Sequence, residues 1–213
     1  MHFCREPDAL FAAMRQFESR IAQIPGRARG LREVRAWQTA RLLKRYEDLH
    51  HDTRYRAAVE FFTTDLYGPQ DFSRRNGDLA RAWALLRRGL PAEVLDVLTN
   101  ALELEVLTLE LDDAMAEHMG SSPMNDSSYA NAWQCVGKAE MRARQIELLI
   151  TVGSGLGRLA NQPSISLLLR AARLPAHFTG FGALQDFLER GFAALRKLDE
   201  LQDLLNIIRA RES

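Results

Sequence analysis

The chain has 213 residues, 46% of them hydrophobic and 26% charged, with 28 basic against 28 acidic side chains. That length suits one large or two small globular domains, and zero formal net charge leaves no global field to draw the protein to nucleic acid or to an acidic surface. Cys4 and Cys135 make neither a disulfide framework nor a metal-ligand spacing, and no apolar run approaches the roughly 18 residues of a membrane-spanning helix.

The opening MHFCREPDAL carries charges where a secretory leader has its apolar core, so a reducing, cytoplasmic setting is expected. Almost every long segment repeats its apolar residues at helical spacing, and none alternates as a strand does. The expected fold is all-α: a single irregular bundle of about seven or eight helices over residues 1–213.

Pro7 opens a first helix whose Leu10, Met14, Phe17 and Ile21 step by three and four until Pro25-Gly26. A second runs from near Arg29 to about His50. A third, capped by Asp52 or Thr53, carries Val59, Phe62 and Leu66 to Gly68-Pro69. A fourth covers about 78–88, and Gly89-Leu90-Pro91 turns into the stretch that organises the chain, residues 91–119. That stretch has no Gly or Pro after its opening. Val94, Leu98, Ala101, Leu102 and Leu109 share one broad face, and Asp96, Glu103, Glu110 and Glu117, seven apart, are expected to draw a wet acidic stripe on the other.

Residues 120–128 form the longest polar connection, with an N-cap expected among Asp126–Ser128. One long helix is expected from there to about Ala160, with Gly137 as a kink. Short helical pieces follow at 165–173 and 175–179, and a final helix covers about 181–211. Residues 1–56 hold twelve Arg and Lys against seven Asp and Glu, whereas 92–117 holds eight acids and no base. Basic and acidic helices should therefore pack side by side.

The run Phe61-Phe62-Thr63-Thr64-Asp65-Leu66-Tyr67-Gly68-Pro69-Gln70-Asp71-Phe72-Ser73-Arg74-Arg75 resembles the signature of the bacterial FFLEELY-motif proteins. The block 182–192, Gly-Ala-Leu-Gln-Asp-Phe-Leu-Glu-Arg-Gly-Phe, and the closing Arg211-Glu212 are similar to that family too. The resemblance implies an all-helical protein and brings no catalytic residues with it. Thr63-Thr64 stand where the family's name has Leu-Glu, so no role of that carboxylate carries over. Read physically, the run is a helix end and a corner, and Tyr67, Asp71, Phe72, Arg74 and Arg75 are of the types enriched at binding surfaces.

Glu105 and Asp112, seven apart, fall inside the apolar arc of 91–119, and Glu140 and Glu147 repeat the spacing on the next long helix. Facing pairs of this kind are one way to hold two metal ions, although the Glu-x-x-His of di-iron bundles is absent; structural ion pairs with Arg142 or Arg144 are the other account. Gly153 and Gly157 lie in a segment that fits no phosphate-loop pattern. They let two helices approach, or bend one over a flat ligand, for which His177 would be a candidate partner. The five histidines have no ligand spacing, and the Arg27–Arg41 run is interrupted by Glu33, so a nucleic-acid partner is not expected.

With no catalytic constellation beside the 67–75 corner, the sequence reads first as a non-catalytic protein–protein interaction or regulatory module, with homodimerisation through an exposed helix face as one form of it. The alternatives are a helical-bundle binder of an apolar small molecule such as a lipid or haem, with Gly153, Gly157 and His177 at its pocket, and a metal-dependent oxidoreductase using Glu105, Asp112, Glu140 and Glu147.

Overall fold

The computed structural model describes residues 6–66, 73–120, 122–196, 198 and 200–212, and the side chains of all of these except 66 and 73–75. Among the described residues there are eleven α-helices and no strand: α1 (Pro7–Gln23), α2 (Arg27–Arg45), α3 (Glu47–His51), α4 (Arg56–Phe61), α5 (Ser73–Gly89), α6 (Ala92–Met119), α7 (Asp126–Val136), α8 (Ala139–Ala160), α9 (Pro163–Phe178), α10 (Gly182–Arg196) and α11 (Leu201–Glu212). No helix among them is long and apolar enough to cross a membrane.

The helix count exceeds the expected seven or eight because three expected helices are broken. The second stops at Tyr46, which separates α2 from α3. The helix expected across Gly137 is cut rather than kinked, since Gly137 (φ 61°) and Lys138 (φ 56°) are both left-handed. The last one divides into α10 and α11. In the opposite sense, the two short pieces near 165–179 are one helix, α9, which continues through Pro175. Pro7 sits in the first turn of α1 as expected, whereas two caps are displaced: α7 is capped by Asn125, one residue before the expected Asp126–Ser128, in a reciprocal capping box with Ser128, and α4 begins after Tyr55 rather than at Asp52 or Thr53.

The 28-residue α6 lies at the centre, packed against α1, α2, α7 and α8. Leu102, Val106 and Met115 join Phe11, Met14, Val34 and Trp83 in the largest core cluster. Leu107 and Leu111 meet Leu148 of α8, and Val97 joins Ile165, Phe192 and Leu195 of α9 and α10. The expected wet stripe is only half wet. Asp96 and Glu117 are exposed, but Glu103 is 2% exposed and receives two hydrogen bonds from Arg144 at 2.9 and 3.0 Å. Asp113 is also buried, with Arg20 at 2.9 Å and Arg27 at 2.6 Å. Acidic α6 and its basic neighbours do pack side by side.

On α8 the residues Gly153, Gly155 and Gly157 are all buried, and each lets another helix approach closely. A Cβ at Gly153 would sit 2.7 Å from Leu205 Cδ2, one at Gly157 would meet Leu201, and one at Gly155 would lie 2.5 Å from Val97 Cγ2. The first two face α11 and the third faces α6, so this short segment fixes the distance between three helices. Gly155→Ala should cost about 1–3 kcal/mol through overpacking against the stiff Val97 side chain, despite alanine's better helix propensity. Chemical denaturation of Gly155→Ala, Val97→Ala and the double variant tests this. The double variant should be more stable than the sum of the single losses allows, and strict additivity would show that the contact is not the cause.

Candidate functional site

Five helices each present one stripe of side chains to a common cleft of about 500 Å³. On α2 the stripe is Gln38, Arg41, Leu42 and Arg45, and on α8 it is Arg142, Gln145, Ile146 and Leu149; both follow the i, i+3, i+4, i+7 spacing of one helix face. Thr108, Leu111 and Asp112 come from α6, Tyr129 and Trp133 from α7, and Leu204, Ile208, Arg211 and Glu212 from α11. Phe62 and Thr63 enter from a π-helical turn, Phe62–Leu66, that continues α4. The Thr63 and Thr64 hydroxyls donate to the carbonyls of Val59 and Glu60 at 2.8 and 2.7 Å, which supports this widened turn where helix spacing alone predicts an ordinary one.

The rim by α11 is closed by reciprocal contacts with the α2–α3 junction. Arg211 holds Asp48 through two hydrogen bonds of 2.6 and 2.8 Å and donates to the Arg45 carbonyl, while the Arg45 guanidinium reaches the Arg211 carbonyl. The Tyr46 hydroxyl donates to Glu212 at 2.9 Å, and burial together with that carboxylate pushes its pKa well above the ordinary tyrosine range.

The opposite part of the cleft is more deeply buried. Asp112 is 3% exposed and pairs with Arg35 at 3.1 Å; burial outweighs that guanidinium and pushes its carboxyl up to about 6. Arg142 stacks its guanidinium on Trp133, 3.2 Å from the ring centre. Its Nε donates to the Gly137 carbonyl at 3.1 Å and one Nη to the Met115 sulfur at 3.6 Å, and burial holds its pKa below the ordinary arginine value. Tyr129 carries a buried hydroxyl that makes no hydrogen bond of ordinary geometry among the described residues.

The residues singled out in the sequence fall differently. Tyr67, Asp71 and Phe72 lie outside the described residues, and Arg74 and Arg75 stand in the first turn of α5 with side chains outside the description. Asp112 does line the cleft. Glu105 accepts from Asn76 at 3.2 Å, whereas Glu140 and Glu147 are exposed on α8, Glu147 near Arg144 at 3.6 Å. The four carboxylates therefore do not converge as the metal alternative requires. Among the described residues no group of three His, Cys, Asp or Glu side chains is placed to hold a metal ion. Gly153 and Gly157 pack against α11, and His177 is exposed with Asp186 at 3.1 Å; none of the three lines the cleft. Sequence reasoning raised Arg142 only as an ion-pair partner and Arg41 only as part of a basic run, and it missed their meeting with Tyr129 and Trp133, whose signal is a cation or aromatic ring recurring on one helix face.

Residues 61–65 and 187–191 meet each other. Phe61 stacks at 5.5 Å on Phe187 and covers Gly191, where a Cβ would be 2.7 Å from its ring, and Arg190 holds Asp65 at 2.6 Å. Their product is a joint between α4, its π turn and α10, with Phe62 left facing the cleft.

Residues 16–213 match the model of a family described as a domain of unknown function, DUF8198. No curated protein and no solved structure matches the chain.

Asp112 makes stability depend on pH in a defined direction. Its carboxyl keeps a proton in the folded chain that the unfolded chain, at the ordinary 3.8, releases. Stability should therefore fall as pH rises from about 4 to 6, by up to about 3 kcal/mol from this group alone. The difference in unfolding free energy between the protein and its Asp112→Asn variant, followed across that window, should change by that amount in favour of the variant. Parallel curves would show that Asp112 titrates normally.

Proposed function

We propose a function for a chain that belongs to that matched family: its cleft binds an apolar small molecule. The observation that supports this is the cleft itself, about 500 Å³ among Leu111, Ile146, Leu149, Leu204 and Ile208, with Tyr46, Tyr129 and Trp133 as aromatic walls. Protein interiors otherwise close to voids no larger than water, and clefts of roughly 300–1,000 Å³ with apolar walls and a few polar groups are the usual form of a ligand site. This site differs from the Gly153–Gly157 pocket expected from sequence, while the class of ligand is the one weighed there.

A neutral fluorescent probe, N-phenyl-1-naphthylamine, tests the reading. It should bind the protein with enhanced emission, and Ile146→Trp, which fills the cleft from the α8 side, should weaken binding about tenfold or more with helicity unchanged. No enhancement with the unaltered protein, or equal binding by the variant, would remove the proposal.

A second reading, the interaction module, has one observation in its favour. On α9 the residues Leu167, Ala171, Leu174 and Phe178 follow a heptad seam, and Leu167, Leu174 and Phe178 are 67, 69 and 87% exposed. A seam of this spacing fits another helix, and a second copy of this chain is its simplest occupant. Sedimentation should then show a concentration-dependent dimer that Phe178→Glu dissociates; a monomer at all concentrations would dismiss it.

A further inference from the structure

Three buried donors at one end of the cleft are short of acceptors. Arg142 is 9% exposed and, among the described residues, has no carboxylate partner; its hydrogen bonds go to one backbone carbonyl and one thioether sulfur. The Arg41 Nε and the Tyr129 hydroxyl are buried without a hydrogen bond of ordinary geometry among the described residues, Gln38 lying beside the hydroxyl. Arg41, Tyr129 and Arg142 line the same cleft, with Asp112 also on its wall. A buried guanidinium without a directly paired carboxylate is costly to the fold alone.

The charge of the cleft has the same sign. Arg41, Arg45, Arg142 and Arg211 line it against Asp112 and Glu212, an excess of two positive charges. Both acids are already engaged, Asp112 by Arg35 at 3.1 Å and Glu212 by Arg45 at 3.3 Å, by the Tyr46 hydroxyl and, more distantly, by one Nη of Arg41 at 3.7 Å. The cleft therefore has no acid to offer a cationic ligand, while it has guanidinium and hydroxyl donors for an anionic one.

We infer that the ligand of this cleft is an amphiphilic carboxylate, its head group seated between Arg142, Arg41 and Tyr129 and its apolar body along Ile146, Leu149 and Leu204. The planar guanidinium fork matches a carboxylate, and the stack on Trp133 at 3.2 Å fixes the plane of that fork. Neutralising a cation that is buried in the folded chain gives the acid an advantage over an alcohol of the same length. This inference rests on the cleft-binding reading and adds the charge of the ligand to it.

Calorimetric titration of the full chain with dodecanoate, dodecanol and dodecylammonium separates the two. The unaltered protein should bind dodecanoate at least about tenfold more tightly than dodecanol, and dodecylammonium more weakly than either. Arg142→Met, similar in length and without the charge, should bind dodecanol as before and lose the preference, while Arg41→Gln should reduce it and Arg142→Lys retain part of it. Equal binding of acid and alcohol by the unaltered protein, or preference for the ammonium, would overturn the inference and leave the cleft-binding reading standing. Failure of all three probes would remove both. Should Arg142→Met not fold, as judged by its melting curve, unaltered preference in Arg41→Gln would count against the inference.

Discussion

The carboxylates of α6 cannot all reach water, and the arrangement of the helices around it follows from that. Glu103, Asp112 and Asp113 are buried on a helix that has no Lys or Arg of its own. Each is met by arginines from a different direction: Arg144 of α8, Arg35 of α2, and Arg20 of α1 with Arg27 of α2. Buried pairs of this kind add little net stability compared with apolar packing, yet losing one partner costs about 3–5 kcal/mol. They act as register pins. A one-turn slip of α2 or α8 along α6 would leave an acid and an arginine both unpaired, whereas the leucine faces would tolerate it.

Two other features set how far apart the helices stand. The three buried glycines of α8 draw α6 and α11 inward at one level. Near the first half of α8, the long side chains of Arg142, Gln145 and Ile146 face Trp133, Tyr129 and Arg41 instead, and the cleft opens between them. The change from glycine to bulky residues along one helix explains why the same bundle is closely packed at one end and hollow at the other. The break at Gly137 and Lys138 contributes, because it frees the carbonyl that accepts from Arg142 and lets α7 turn Trp133 onto the guanidinium.

Residues 61–65 and 187–191 are more than 120 residues apart in the chain, yet in space they form one joint. Phe61, Phe187 and Gly191 make its packed centre, and Asp65 with Arg190 its outer clasp. Thr63 and Thr64 satisfy backbone carbonyls within the π turn, a local structural role that needs no carboxylate. Through Phe62 and Thr63 this joint also borders the cleft.

Taken alone, the sequence determined what depends on residues near one another in the chain. Helical periodicity, Pro7 in a first turn, the glycine-free length of 91–119 and the acid–base split between segments all correspond to structure, because spacing, caps and local charge are sufficient causes. Tertiary structure decided the rest. Lys138 in a left-handed conformation and Pro175 inside a continuous helix are held by their surroundings and not by local propensity. Glu103 became a buried ion-pair partner rather than part of a wet stripe because α8 brought Arg144 to it. The cleft is the clearest case. Each of its stripes is legible on a single helical wheel, but no wheel states which face meets which, and the meeting of Arg41, Tyr129 and Arg142 exists only once α2, α7 and α8 are packed around α6.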